Sequence, residues 1–155
     1  MNTHPAPFPQ ANDINKVIKI INIDHEDNLK DYGYMCMYLG DISNRQVDYY
    51  ISACTYLNLI GTNKEFTDLG LILRGLTGVE QSVRLAQIIV SDIVFGEVYF
   101  MQKFLGIDMT VEDVAERMKK YVVFDSEAMY LRRSSTVCSW IKWILRQEEQ
   151  SGNEY

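Results

Sequence analysis

The chain has 155 residues, 47% hydrophobic and 23% charged, which is enough to bury a core and too apolar for a disordered segment. It has no run of about 18 apolar residues and no basic-then-apolar start, so neither a membrane span nor export is expected and the predicted location is cytoplasmic. A formal net charge of −6 opposes the simplest kind of nucleic-acid binder, yet between Glu116 and Arg146 seven bases meet three acids, a local excess of +4.

Residues 1–11 carry all three prolines, Pro5, Pro7 and Pro9, and predict an extended leader. From residue 12 the period changes. Ile14, Val17, Ile18 and Ile21 recur at i, i+3, i+4, i+7, with Asn12 or Asp13 placed to cap a first helix. After the polar break at His25 to Asn28, Leu29 to Leu39 predicts a second helix closed by Gly40. Ser43 then caps a third, running to about Leu57. Its wheel places Val47, Tyr50, Ile51, Cys54 and Leu57 inward and Asn44, Arg45, Asp48, Tyr49, Ser52 and Tyr56 outward. Leu59-Ile60-Gly61 and Glu65-Phe66 flank Thr62-Asn63-Lys64 and predict a small β-hairpin, and Thr67 caps a helix through Leu76.

The back half echoes this order. Val79 to Val90 and Ile93 to Leu105 are strongly apolar helical stretches, Thr110 and Asp113 have a capping-box-like spacing, and a long helix follows from Ser126 to about Gln147. The expected fold is therefore mainly α. A winged helix-turn-helix with a small β-hairpin covers 12–77, a second, wingless helix-turn-helix-like unit packed on it covers 78–148, and 149–155 is a flexible tail.

Catalysis has little to stand on. Cys36, Cys54 and Cys138 lie far apart without a Cys-x-x-Cys and read as buried free thiols. The two histidines, His4 and His25, supply neither a triad nor a zinc site. Asp92 and Glu97 lack the following lysine of a nuclease core, and the glycines are too scattered for a phosphate loop. No enzyme activity, cofactor or metal is expected.

The run Ser43-Asn44-Arg45-Gln46-Val47-Asp48-Tyr49-Tyr50 through Ile60, followed by Phe66-Thr67-Asp68-Leu69-Gly70, resembles the winged-helix domains appended to bacterial type II restriction endonucleases and related DNA-processing proteins. Arg132-Arg133-Ser134-Ser135-Thr136-Val137 and Trp140-Ile141-Lys142-Trp143-Ile144 are similar to the run that closes such domains. The resemblance implies a non-catalytic accessory protein for DNA recognition in restriction, defence or mobile-element DNA processing.

Within that frame the start of the third helix is the first candidate interface, because Asn44, Arg45 and Gln46 are the residue types that read base edges and phosphates. Tyr49 and Ser52 extend its face, although they and Tyr56 would serve a protein contact equally well. Lys64 at the hairpin tip is placed to reach a minor groove or backbone, or simply to form a polar turn. On the long helix Arg132, Ser135, Ser139, Lys142 and Arg146 share one narrow stripe that can track a phosphate backbone, which is also what an ordinary solvated face looks like. Arg133 projects to the apolar side, where it must snorkel, pair with an acid or mark an irregular turn. Double-stranded DNA is the expected partner. The competing readings are an adaptor that docks on a nuclease or helicase subunit and an acidic inhibitor of a DNA-binding enzyme.

Overall fold

The computed structural model describes residues 6–152; residues 1–5 of the leader, including His4 and Pro5, and residues 153–155 of the tail lie outside the described residues. Among the described residues the fold is mainly α, with eight α-helices, one 3-10 turn and no named strand. The chain divides into two compact units, 1–85 and 86–155. No described helix is long and apolar enough to cross a membrane.

In the first unit α1 (Ile14–Ile21) is capped by the Asp13 carboxylate, which accepts from the Asn15 N–H. Its buried arc consists of Ile14, Val17, Ile20 and Ile21, while Ile18, expected in the core, is only half-buried. The single expected helix over 29–39 is instead a 3-10 turn (Glu26–Lys30) followed by α2 (Tyr32–Tyr38). Asp31 causes the break: its backbone is extended, and its side chain caps α2 by accepting from the Tyr34 N–H. Gly40 and Asp41 then take left-handed backbone angles that turn the chain into α3 (Asn44–Tyr56), which opens with a capping box between Ser43 and Gln46. Helix α3 packs on both α1 and α2. The buried Tyr50 hydroxyl accepts from the Asp13 N–H and so pins the start of α1 to α3.

The predicted β-hairpin wing is absent. Only one antiparallel bridge, Ile60 with Phe66, forms between the two short segments. Leu59 and Ile60 are buried rather than projecting. The Leu59 carbonyl accepts from the Thr67 N–H and lies so close to Gly70 that a Cβ there would sit 2.1 Å from it. With its backbone groups satisfied by the turn and by α4 (Asp68–Arg74), and with room for so few cross-strand pairs, the segment has no ladder to extend. Helix α5 (Gly78–Val90) follows, and the buried Gln81 near its start donates to Asn22 Oδ1, Leu73 O and Leu76 O, tying the end of α1 to the end of α4.

The second unit contains α6 (Ile93–Lys103), α7 (Val111–Met118) and α8 (Glu127–Gly152), which pack against one another. Asp92 caps α6 through the Val94 and Phe95 N–H groups, and Thr110 with Asp113 forms the capping box of α7. The core face of α8 consists of Val137, Trp140, Ile141 and Ile144, with Trp140 stacked on Phe95 at 5.1 Å between centroids. Helix α8 remains helical to Gly152. Between α7 and α8 the Tyr130 hydroxyl accepts from the Phe124 N–H and donates to Val122 O, fixing the connecting loop.

Candidate nucleic-acid interface

Helix α3 is exposed unevenly along its length. Asn44, Arg45, Gln46 and Asp48 are exposed and Tyr49 and Ser52 half-buried, whereas every residue from Ala53 to Leu57 is buried. Tyr56, expected on the outer face, is 2% exposed, and the leader lays Phe8 edge-on against its ring at 5.4 Å. What protrudes is thus the first half of α3, the part of a recognition helix that meets base edges.

The protruding side chains are held in place. Arg45 donates from Nε to the Tyr49 hydroxyl at 2.6 Å, with its guanidinium 5.5 Å from the Tyr49 ring centroid. That bond leaves the two terminal nitrogens, the pair needed for a bidentate contact to guanine. Asn44 Oδ1 accepts from the Cys36 thiol at 3.0 Å. Gln46 spends its Oε1 on the Ser43 N–H in the capping box, so it serves the helix start before any ligand. Asp48, the residue that would repel phosphate, accepts a hydrogen bond from Tyr32, and that bond is the main reason the Tyr32 hydroxyl ionises above its ordinary range. Lys64 stands 4.7 Å from the centroid of the same Tyr32 ring. The structure therefore gathers Lys64, Tyr32 and Asp48 into one cluster and pairs Arg45 with Tyr49.

On the second unit, the stripe of α8 has Arg132, Lys142 and Arg146 exposed and Ser135 and Ser139 half-buried. Ser135 donates back to Leu131 O and so has a helix-internal partner. Three other cations of this unit are paired: Lys103 with Glu148 at 2.6 Å, Arg117 with Glu97 at 3.0 Å, and Lys119 with Glu116 and Glu127 at 2.8 and 2.9 Å. Those two carboxylates raise the Lys119 ammonium above the ordinary lysine range. Arg133 resolves to a buried position, its guanidinium 4.6 Å from the Phe124 centroid and one terminal nitrogen donating to Met129 O at 3.4 Å.

A family model described as Domain of unknown function (DUF7226) matches residues 10–149. The chain belongs to this family. No curated protein and no solved structure matches the DUF7226 chain. Among its described residues no group of three or more His, Cys, Asp or Glu is placed to hold a metal ion. In this DUF7226 domain Asp92 caps α6 through the Val94 N–H, and Glu97 pairs with Arg117. Cys54 is buried and its thiol is pushed up to about 12 by that burial, while Cys36 and Cys138, expected to be buried, are half-buried.

Residue-type reasoning missed Tyr32 and Cys36. Both sit on α2, whose pattern of Tyr32, Tyr34 and Tyr38 is neither clearly apolar nor clearly polar. The usable signal was an aromatic residue next to the Asp31 cap, on the helix preceding a recognition-like helix.

Proposed function

We propose that the chain is a non-catalytic DNA-recognition module in which α1, α2 and α3 form a helix-turn-helix and the first half of α3 enters the major groove. The observation that carries this reading is the placement of exposure on α3, open at Asn44, Arg45, Gln46 and Asp48 and closed from Ala53 onward. Arg45, already oriented by Tyr49, makes the base contact; Asn44 and Tyr49 flank it, with Ser52 at the margin. Lys64 contacts the backbone from the bridged turn rather than from a wing. Helices α6, α7 and α8 pack on one another in the second unit, which fits a second, wingless helix-turn-helix-like unit. The resemblance to winged-helix domains of restriction systems supports an accessory role in restriction, defence or mobile-element DNA processing, beside a nuclease or helicase subunit.

The test is a selection of bound duplexes from a randomised pool. The wild type is expected to enrich a fixed guanine, and Arg45→Ala to lose about 1–3 kcal/mol on the selected site, roughly 5- to 150-fold, and to relax that position alone. Equal enrichment by both proteins rejects Arg45 as the reader.

One observation favours a protein-docking role instead. Phe100, Phe104, Leu105 and Ile107 of the second unit are exposed together around the end of α6. A folded chain that binds no duplex at low salt would reject DNA recognition by this chain and favour the adaptor reading.

A further inference from the structure

We infer that α8 carries a second, sequence-independent nucleic-acid contact, a face that lies along the phosphate backbone of a duplex. It rests on the DNA-recognition reading for the class of partner but not on Arg45 or on any residue of α3.

Three features of α8 point to this ligand. The first is charge without a partner: Arg132, Lys142 and Arg146 are exposed and form no ion pair among the described residues, in a unit where Lys103, Arg117 and Lys119 each have a carboxylate. A protein of net charge −6 that leaves three cations unneutralised on one helix face has left that face attractive to a polyanion. The second is spacing. At about 1.5 Å of rise and 100° of turn per residue, the three cations spread over about 21 Å within an arc of about 80°. One strand of a duplex presents a phosphate about every 3.4 Å along its axis, so the face spans about six phosphates and can meet three of them.

The third is what lies between the cations. Ser135 and Ser139 occupy the stripe, short side chains that let a backbone approach the helix closely. A membrane-surface helix needs large apolar residues beside its cations, and single-stranded nucleic acid needs aromatic rings to stack on. Trp140 is buried against Phe95, and beside the stripe stand only the half-buried Leu131 and Trp143, one apolar side chain and one ring rather than an apolar face or a stacking platform. With no side chain aimed at base edges, the contact is one of positioning and reads no sequence.

The experiment is a titration of the full chain with a mixed-sequence duplex from low to physiological salt, comparing wild type with Arg132→Ala/Lys142→Ala/Arg146→Ala. Log K falls with log salt by about 0.9 per phosphate contact, so the triple variant is expected to lose about 2.7 units of slope. A control of equal net charge, Lys30→Ala/Arg84→Ala/Lys103→Ala, is expected to keep the wild-type slope, and Arg132→Lys/Arg146→Lys to keep most of it. An unchanged slope in the triple variant overturns the inference, as does an equal loss in the control. So does loss of binding to anionic phospholipid vesicles with duplex binding intact. Arg45→Ala in the same titration separates the two claims. If it leaves duplex selection unchanged while the triple variant loses slope, the α3 reading fails and the α8 contact stands; the reverse pattern removes α8 and leaves α3.

Discussion

The first unit packs α1 on α3 and α4 and α2 on α3, the second packs α6, α7 and α8 together, and the two dress the exposed faces of α3 and α8 in opposite ways. On α3 the exposed polar groups satisfy one another: Arg45 with Tyr49, Asp48 with Tyr32, Asn44 with Cys36. On α8 the exposed cations stand alone among the described residues, and the internal bonding is spent elsewhere, in the loop that Tyr130 and Arg133 hold against Phe124. Side chains restrained by neighbours lose less freedom on binding and suit a contact that depends on geometry. Unrestrained cations suit a contact that depends only on charge. Under the proposed function this difference gives discrimination to the first unit and sequence-independent holding to the second, within a chain whose total charge alone would argue against both.

The sharpest way to break the first unit is Ile51→Asp, which puts an unpaired charge where α3 packs on α1 and α2. We expect a loss of at least about 4 kcal/mol in urea unfolding. A near-native stability would show that α3 is not the core helix. Gly70→Ala tests the replacement of the wing by a clamped turn. The new methyl meets the Leu59 carbonyl, and a cost of about 2 kcal/mol is expected by the same assay; a neutral result would mean that the turn yields freely. Its counterpart in the second unit, Tyr130→Phe, removes the hydroxyl that bonds Phe124 and Val122 and is expected to cost about 1–2 kcal/mol, with new proteolytic cleavage confined to 122–125. Cleavage elsewhere would separate that hydroxyl from the loop.

Burial of Cys54 and burial of Tyr99 beside Glu148 each push ionisation up to about 12, from ordinary values of 9.0 and 10.0. Both groups are neutral when folded, so the unfolded chain gives up its protons first. The Cys54 contribution is complete below pH 9 and lost between 9 and 12, and that of Tyr99 is complete below pH 10 and lost between 10 and 12. Tyr99→Phe is therefore expected to flatten the decline in stability only above pH 10, leaving the earlier part to Cys54 and to Cys138, whose thiol burial also raises. A decline unchanged at pH 11 would remove Tyr99 from the account. The smallest expected effect is Arg45→Ala on stability, within about 0.5 kcal/mol, because the side chain is exposed and only Tyr49 holds it.

Elements with strong local signals were legible in the sequence. Ser43 with Gln46 and Thr110 with Asp113 announce their helices, and both boxes are present. The Val137, Trp140, Ile141 and Ile144 face announces the core of α8. What failed depended on distant groups. The wing was read from two short apolar stretches around turn residues, but Leu59 and Ile60 are drawn inward where Gly70 lets a backbone approach, and no local pattern encodes that distance. Tyr56 was placed outside by the wheel of α3 alone, which takes no account of Phe8 arriving from 48 residues earlier in the chain. Of the interface, exposure of Arg45, Arg132, Lys142 and Arg146 followed from periodicity. The Tyr32–Asp48 bond and the approach of Lys64 did not, because they join three separate segments.

The most direct test of the central claim is an amide chemical-shift map of the full chain titrated with a duplex at low salt. The account predicts two separate sets of shifted residues, one from Ile42 to Tyr49 and one along Arg132 to Arg146, the second fading as salt rises and the first retained for a selected sequence. Shifts confined to Phe100 through Ile107, or none at all with the protein folded, would contradict it.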